Sequence, residues 1–288
     1  MDKKIKLYFC NIPNFGDALN KYIFKECFDT DIEYSDSWEC DAFGIGSILE
    51  LLLWQTKDAK YIFKNPCKIN KNPVYILSSG FGWDDKHYFD RIRFFFNMNF
   101  KRRPEIVSLR GELTRKSAEK ILKKDLSDVA LGDLGLLASY LCKEQSEKKY
   151  ELGICPHFAD MDNPIFAQIA QEIPNSIILD TKTNPIEYVN KLNQCKTVIS
   201  SGLHPLICAD SLGIPNLWVR ISEKTTTRHK YADYYSVFGI DPKPCNLYEN
   251  KISTDYIIEN YKIKPEQVKD IQQNLIKVHK EFFKKKFI

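Results

Sequence analysis

The chain has 288 residues, which is enough for one large domain or for two domains of about 140 residues each. Hydrophobic residues make up 43% of it and charged residues 28%, a balance that excludes a disordered or fibrous protein. The formal net charge of +4 is small for this length, so it does not indicate a nucleic-acid partner, while a small anionic ligand remains open.

Nine cysteines without a C-x-x-C pair indicate free thiols in a reducing compartment rather than a disulfide framework or a zinc site. The first ten residues lack the long apolar segment and the cleavage site of a secretory signal. No apolar run approaches the length of about 18 residues that spans a membrane. We therefore expect a cytoplasmic protein.

A strand is predicted at residues 5–10, and a turn-rich segment and an amphipathic helix follow it. Asp17 lies at the start of this helix. It either caps the helix or presents a carboxylate at the end of the first strand, where it would orient or deprotonate a substrate hydroxyl. The residue type alone favours the cap.

Two apolar segments typical of strands, residues 41–47 and 74–82, each end in a glycine-rich turn. Neither contains the G-x-G-x-x-G fingerprint of a dinucleotide site or the G-K-[ST] of a P-loop, so we exclude both. Glycine in such turns either supplies a positive φ angle or lets the backbone come close to a ligand.

The aromatic and basic residues of 84–100 favour a packed helix rather than a surface for nucleic acid. A strand is predicted at residues 105–110, a helix at 112–122 and a short strand at 129–131. Arg110 ends its strand immediately before a glycine. Its fork-shaped side chain suits either a structural carboxylate or a ligand that carries a carboxylate or phosphate.

A polar connector at residues 142–149 separates this half from a second series of alternating strands and helices. Strands are predicted at residues 151–155 and 176–179, and helices at 163–173 and 185–195. Two such series predict a doubly wound α/β fold with a parallel sheet in each half and a cleft between the halves.

Residues 197–220 form one predicted strand, helix and strand unit, with the helix ended by Gly213. His204 falls where the first strand gives way to the helix, at the edge where open α/β sheets bind ligands. The free N–H groups at the start of that helix suit an anion. His157 has a similar position after the strand at 151–155, although a single histidine there is more often structural.

A polar loop follows this unit, and its cations either face an anion or are simply solvated. They are Arg220, Lys224, Arg228 and Lys230. The loop is long enough to close over a ligand.

The last predicted helix, residues 265–288, is amphipathic and ends in a basic, aromatic tail. This pattern favours a helix packed on a core over one that contacts an anionic membrane surface. We assign residues 1–145 to a first domain, completed by this helix, and residues 146–264 to a second.

Six segments, in their order along the chain, resemble motifs of the polysaccharide pyruvyl transferase family. They are residues 14–20 (NFGDALN), 44–47 (GIGS), 108–114 (SLRGELT), 131–134 (LGDL), 153–157 (GICPH) and 200–215 (SSGLHPLICADSLGIP). Each segment is short, but their order and spacing make the set specific. The resemblance implies two Rossmann-like domains with parallel sheets, arranged as in GT-B glycosyltransferases, the first for the acceptor and the second for the donor.

The resemblance also assigns site residues. His204 matches the histidine of the family's Leu-His motif, a general acid or phosphoenolpyruvate contact; Arg110 matches a donor-binding arginine, and Asp17 matches the aspartate of a Gly-Asp motif. The other donor-binding residues that we assign are Ser201, Gly202, Leu203, His157, Arg220, Lys224 and Arg228. Pro205 departs from the pattern, because many members have glycine after the histidine.

The implied activity is transfer of a pyruvyl group from phosphoenolpyruvate to a saccharide or lipid-linked glycan, which forms a ketal in surface polysaccharide synthesis. His204 would act as the acid because imidazole titrates near working pH. Two alternatives remain open: a glycosyltransferase that uses a nucleotide sugar, and a non-catalytic glycan-binding protein.

Phosphoenolpyruvate is expected as a co-substrate, with no further cofactor. No metal site is assigned, although Asp133, Asp160 and Asp162 are candidates for a divalent ion. Since lipid-linked acceptors lie at the inner membrane face, the basic tail would place the enzyme there as a peripheral protein. The sequence assigns no oligomeric state.

Overall fold

The computed structural model describes residues 4–37, 39–51, 72–82, 103–142, 146–221 and 228–287. In these ranges the strands form two sheets, and all of the strand pairs are parallel. The strands of the first sheet are β1 (Ile5–Tyr8), β2 (Ile32–Tyr34), β3 (Ala42–Phe43), β4 (Val74–Ser79), β5 (Pro104–Leu109) and β6 (Ala130–Leu131). Those of the second are β7 (Tyr150–Cys155), β8 (Ser176–Ile178), β9 (Cys195–Ser200), β10 (Asn216–Arg220) and β11 (Cys245–Asn246).

Helices connect these strands, and two helices follow the last strand of the second sheet. Those of the described residues are α1 (Phe15–Phe28), α2 (Glu112–Leu122), a 3₁₀ helix (Leu134–Leu141), α3 (Pro164–Glu172), α4 (Pro185–Asn193), α5 (Leu203–Ser211), α6 (Arg228–Ser236), α7 (Thr254–Asn260) and α8 (Pro265–Lys286). None of them is both long and apolar enough to cross a membrane.

Both sheets are wound in the same way. The order is β2-β1-β3-β4-β5-β6 in the first and β8-β7-β9-β10-β11 in the second. In each, the chain moves outward in one direction from the first strand to the second and then crosses to the other side for the third. This confirms the prediction of two Rossmann-like domains, and it places a topological switch point between β1 and β3 and another between β7 and β9.

Most predicted elements have the expected type. The helix predicted at residues 112–122 is α2, and the polar connector falls between β6 and β7. Four elements were missed, namely β2, β11, the 3₁₀ helix and α7. All four are too short or too irregular to give a clear periodic pattern. The aromatic segment at 84–100 lies outside the described residues.

Helix α1 joins the two sheets. The ring of Phe15 stacks on that of Tyr188 in α4, with 3.7 Å between the ring centroids. The side-chain amide of Asn184 donates a hydrogen bond to the Tyr22 hydroxyl at 2.8 Å. One cluster of buried apolar residues runs from Leu7 in the first sheet to Val198 in the second. The two halves therefore share a continuous apolar interface around α1.

The C-terminal helix packs on the first half. Phe283 is buried and meets the rings of Phe24 and Phe28, both in α1. His279 is fully buried; its Nδ1 donates to the carbonyl of Leu275 at 2.7 Å, so its Nε2 accepts from Ser108 Oγ at 3.1 Å.

The aromatic side chains of the tail are used in this packing. Phe282 and Phe287 both meet the ring of Tyr75, and Lys286 pairs with Glu105 at 3.5 Å. Contact of the tail with a membrane surface stays a prediction, and it rests on the exposed lysines Lys284, Lys285 and Lys286.

Candidate functional site

The switch points of the two sheets meet at a contact between Gly16 and His204. Gly16 is the second residue of α1, which follows β1, and His204 is the second residue of α5, which follows β9. The imidazole ring lies so close to the Gly16 backbone that a Cβ atom there would overlap Nδ1. Because ligands of doubly wound sheets bind at switch points, this contact marks the candidate site.

Asp17 lies beside this contact and is almost fully buried, with 6% of its surface exposed. Its residue type favoured a role as the cap of α1, but the structure gives that role to Asn14. The side-chain oxygen of Asn14 accepts from the Gly16 N–H at 3.3 Å, and the side-chain amide of Asn14 donates to Asp17 Oδ2 at 2.9 Å. Burial raises the pKa of Asp17 to about 7, although the Asn14 hydrogen bond and the charge of Lys230 oppose the rise. The carboxyl therefore holds its proton up to near-neutral pH.

His204 is partly buried, and its ring is expected to be uncharged at neutral pH. Its pKa is lowered to about 3, mainly by burial and to a smaller extent by the charges of Lys230, Arg110 and His157. This corrects the expectation that the imidazole titrates near working pH. A bound anion would raise the pKa again, because an opposite charge favours the protonated ring.

Lys230, in the first turn of α6, is the cation of this site. Burial is the main cause that lowers its pKa to about 8; the charge of Arg110 adds to this, and Asp17 and Asp160 oppose it. Within the described part of the chain, no ion pair joins it to a carboxylate. The sequence showed Lys230 only as one of four loop cations, with nothing to distinguish it from the others. Its position in the first turn of α6 distinguishes it, and hydrophobic periodicity did not predict that position.

Arg110 is bound entirely by protein groups in this structure. Its Nε donates to Asp233 Oδ2 at 2.8 Å and its Nη1 to Ser47 Oγ at 2.6 Å, and its Nη2 donates to the Phe81 carbonyl. Only 1% of the residue is exposed. Of the two alternatives in the sequence, pairing with a structural carboxylate is the one observed. Direct contact with a donor stays a prediction.

Asp233, in α6, contacts three residues of the segment at 108–114, namely Arg110, Gly111 and Thr114. Besides Arg110, the backbone N–H and the hydroxyl of Thr114 each donate to its carboxylate at 2.7 Å. A Cβ atom at Gly111 would overlap the backbone carbonyl of Asp233. Ser236 accepts from the Glu112 N–H at 2.9 Å. The start of α2 is thus capped by a helix of the second half.

The second switch point is ordered around Ser201. Its hydroxyl donates to Asp160 Oδ2 at 2.7 Å and accepts from the His157 N–H at 2.9 Å. Asp160 Oδ1 is buried and has no hydrogen-bond partner among the described residues. Burial, with the charge of Lys230, lowers the pKa of His157 to about 4. His157 and Lys230 are therefore close enough for their charges to interact.

The start of α5 offers backbone donors. Gly202 is the N-cap residue, and its own N–H donates to Ser200 Oγ at 2.9 Å. The N–H groups of the next two residues, Leu203 and His204, have no helical partner, as at any helix start. The Leu203 side chain is buried in the core. Pro205 is the third residue of α5. It fits the first turn because the N–H that proline lacks would have no partner within the helix at this position.

Of the other predicted cations, Arg228 is not brought to this contact. Arg228 points to solvent and pairs with Asp241 at 2.7 Å, with more than half of each side chain exposed. Arg220 ends β10, where its carbonyl accepts from the Leu247 N–H at 3.1 Å. Lys224 lies outside the described residues.

The candidate metal ligands do not form a group. Asp133, for example, caps the 3₁₀ helix by accepting from the Gly135 N–H at 2.8 Å. Among the described residues, no three His, Cys, Asp or Glu side chains are arranged to hold a metal ion.

The arrangement has the parts needed to bind an anion and move a proton. Lys230 and the start of α5 would attract negative charge. Asp17, with its raised pKa, and His204, with its lowered pKa, form a pair of titratable groups whose environments push their pKa values apart, which is typical of acid and base groups in active sites.

Comparison with known proteins agrees with the motifs. The sequence model of the polysaccharide pyruvyl transferase family matches residues 3–223. An uncharacterized protein of Acanthamoeba polyphaga mimivirus is 37% identical over 143 residues, which are 46% of this chain and 50% of the viral protein. This chain thus spans about half the length of that curated relative.

A solved structure of an uncharacterized protein from Klebsiella pneumoniae aligns with a TM-score of 0.48 and 20% identity, over 84% of this chain and 92% of that chain. The family match includes Asp17, Arg110 and His204. Because it extends over most of the sequence, it shows that the chain belongs to the polysaccharide pyruvyl transferase family.

Proposed function

We propose that this protein transfers the pyruvyl group of phosphoenolpyruvate to two hydroxyls of a sugar, in a surface glycan or its lipid-linked precursor, to form a cyclic ketal. Family membership supports a transferase of this kind. The proposal needs no further cofactor. We place the reaction in the cytoplasm, at the inner membrane face, where lipid-linked acceptors lie.

The observation that carries the proposal is the place of Lys230. Among the described residues no carboxylate forms an ion pair with its partly buried ammonium, which is a costly state, and its lowered pKa reflects that cost. Phosphoenolpyruvate carries both a phosphate and a carboxylate. Binding of such an anion between Lys230 and the start of α5 would neutralise the cation and use the free N–H groups.

The chemistry then needs one proton added and two removed. A proton is added to C3 of phosphoenolpyruvate, and an acceptor hydroxyl attacks the cation that develops at C2. The bond from C2 to the phosphate oxygen then breaks, a second hydroxyl attacks C2 and closes the ring, and the proton of that hydroxyl leaves with the inorganic phosphate. The anionic donor would raise the pKa of His204, so that its imidazolium delivers the proton to C3. Asp17 in its ionised form, which is populated near and above pH 7, would orient the acceptor and take the proton of the first hydroxyl.

Calorimetric titration of phosphoenolpyruvate tests this proposal. We expect the wild-type protein to bind it and Lys230→Met to bind at least about tenfold more weakly, a loss of about 1.4 kcal/mol. Arg228→Met removes a cation of the same helix that points to solvent, so it should bind as the wild type does. Release of phosphate on addition of saccharide acceptors would then identify the transfer.

Other results would contradict the proposal. Binding of a nucleotide sugar, with no binding of phosphoenolpyruvate, would make the protein a glycosyltransferase. Binding of glycans alone, with no donor bound and no phosphate released, would make it a glycan-binding protein.

A further inference from the structure

Lys230 and Asp233 are three residues apart in α6, and residues at this spacing lie on the same face of a helix. Whatever fixes Asp233 in space therefore also fixes the first turn of α6, which carries Lys230. Asp233 is fully buried, and its carboxylate accepts hydrogen bonds from Arg110 and from both donors of Thr114.

These bonds come from the other half of the molecule. Arg110 ends β5 and Thr114 lies in α2, so α6 is fixed to the first sheet although its sequence belongs to the second half. On its other side, α6 is tied to the loop before His204, because the Tyr231 hydroxyl donates to the carbonyl of Ser201 at 2.7 Å. The helix thus spans the two switch points.

We infer that Asp233 is a positioning residue: the clamp formed by Arg110, Gly111 and Thr114 holds α6 so that Lys230 faces the donor site beside Asp17 and His204. The inference rests on the proposed function, and it gives Arg110 an indirect role. The anion site is complete only when the first half holds the helix of the second. A buried ion pair suits this task, since its geometry is specific even where its net stabilisation is small.

The steric part of the clamp can be changed without altering any charge. Gly111 has an extended backbone, which alanine also adopts, so Gly111→Ala introduces no backbone strain. Its methyl group would overlap the carbonyl of Asp233 and push α6 away. Arg110 keeps its charge in this variant. Thr114→Val removes the hydroxyl at nearly constant shape, and Thr114→Ser retains the hydroxyl as the matched control.

The titration of Lys230 reports its position independently of any substrate. The lysines would be methylated reductively with ¹³C-formaldehyde, and the Lys230 signal assigned by its loss in Lys230→Arg. In the wild type we expect a pKa lowered from the ordinary 10.5 to about 8. In Gly111→Ala and Thr114→Val it should move toward the ordinary value, because the ammonium becomes more exposed. Thr114→Ser should titrate as the wild type does.

Titration with phosphoenolpyruvate completes the test. Gly111→Ala should bind it at least tenfold more weakly, and Thr114→Ser should bind it normally. If a folded Gly111→Ala retains the wild-type titration of Lys230, the inference is wrong, and weakened binding in that case would indicate that Arg110 contacts the donor itself. A shifted Lys230 titration in a protein that does not bind phosphoenolpyruvate would support the clamp and reject the proposed function. Should Gly111→Ala fail to fold, the Thr114 pair decides in the same way.

Discussion

The imidazole of His204 lies directly against the backbone of Gly16, so that the first turns of α5 and α1 form a single surface. Gly16 belongs to the first half and His204 to the second. The glycine is needed here for space, because any larger residue would occupy the volume of the ring. The contact joins the two switch points.

Replacing Gly16 with alanine should displace the His204 ring and lower turnover by at least about tenfold, with little loss of stability. Alanine is favoured over glycine within a helix by up to about 1 kcal/mol, which offsets part of the strain. Phosphate release and thermal unfolding of the variant would measure the two effects separately.

The control for this change is a double-mutant cycle. In a His204→Gly background neither the ring nor the Cβ atom is present, so Gly16→Ala should cause no further loss of turnover. Additive effects of the two substitutions would show that Gly16 acts on the reaction by some route other than the contact with His204.

The titration of His204 should depend on the donor. We expect its pKa, lowered from 6.5 to about 3 in the free protein, to rise by at least one unit when phosphoenolpyruvate is bound, because the anion stabilises the imidazolium. NMR of labelled histidine measures this shift. His279, a residue of α8 whose pKa burial lowers to about 4, should not respond. A His204 pKa near 6.5 without ligand would contradict the prediction.

Asp17→Asn should stabilise the protein at pH 8 while it abolishes transfer. The pKa of Asp17 is raised from 3.8 to about 7, so the folded state binds this proton more tightly than the unfolded state does. Its favourable contribution is present below about pH 4 and is lost as the pH rises to about 7. At pH 8 the variant avoids a buried carboxylate, which we expect to be worth about 1 to 4 kcal/mol.

Urea unfolding at several pH values tests this sign. The stability difference between Asp17→Asn and the wild type should shrink as the pH falls from 8 toward 4. Asp29→Asn changes an exposed carboxylate at the other end of α1 and serves as the control. A variant less stable than the wild type at pH 8 would show that Asp17 is stabilised as an anion.

Phe283→Ala should destabilise the protein by about 3 to 5 kcal/mol, because it removes a buried ring from the junction of α8 and α1. Thermal or urea unfolding measures the loss. Lys285 is exposed near the end of the same helix, so Lys285→Ala should change stability by less than about 0.5 kcal/mol. A small effect of Phe283→Ala would mean that α8 is not part of the folded core.

The alternation of strands and helices, and therefore the two parallel sheets, could be predicted from the sequence, because hydrophobic periodicity and turn residues act over short stretches of chain. The sequence also placed Asp17, Arg110 and His204 at strand ends. For two of these residues the local pattern was misleading: Asn14, not Asp17, caps α1, and burial prevents His204 from titrating near neutral pH.

Which side chains act together depends on the tertiary structure. Arg110 meets Asp233 and Gly16 meets His204, although long stretches of chain separate the two members of each pair. Lys230 was one of four similar cations in the sequence, and Arg228, two residues before it, faces solvent. Such choices depend on how one half packs on the other. Burial and long-range charge then set the pKa values, and neither has a signature in local sequence.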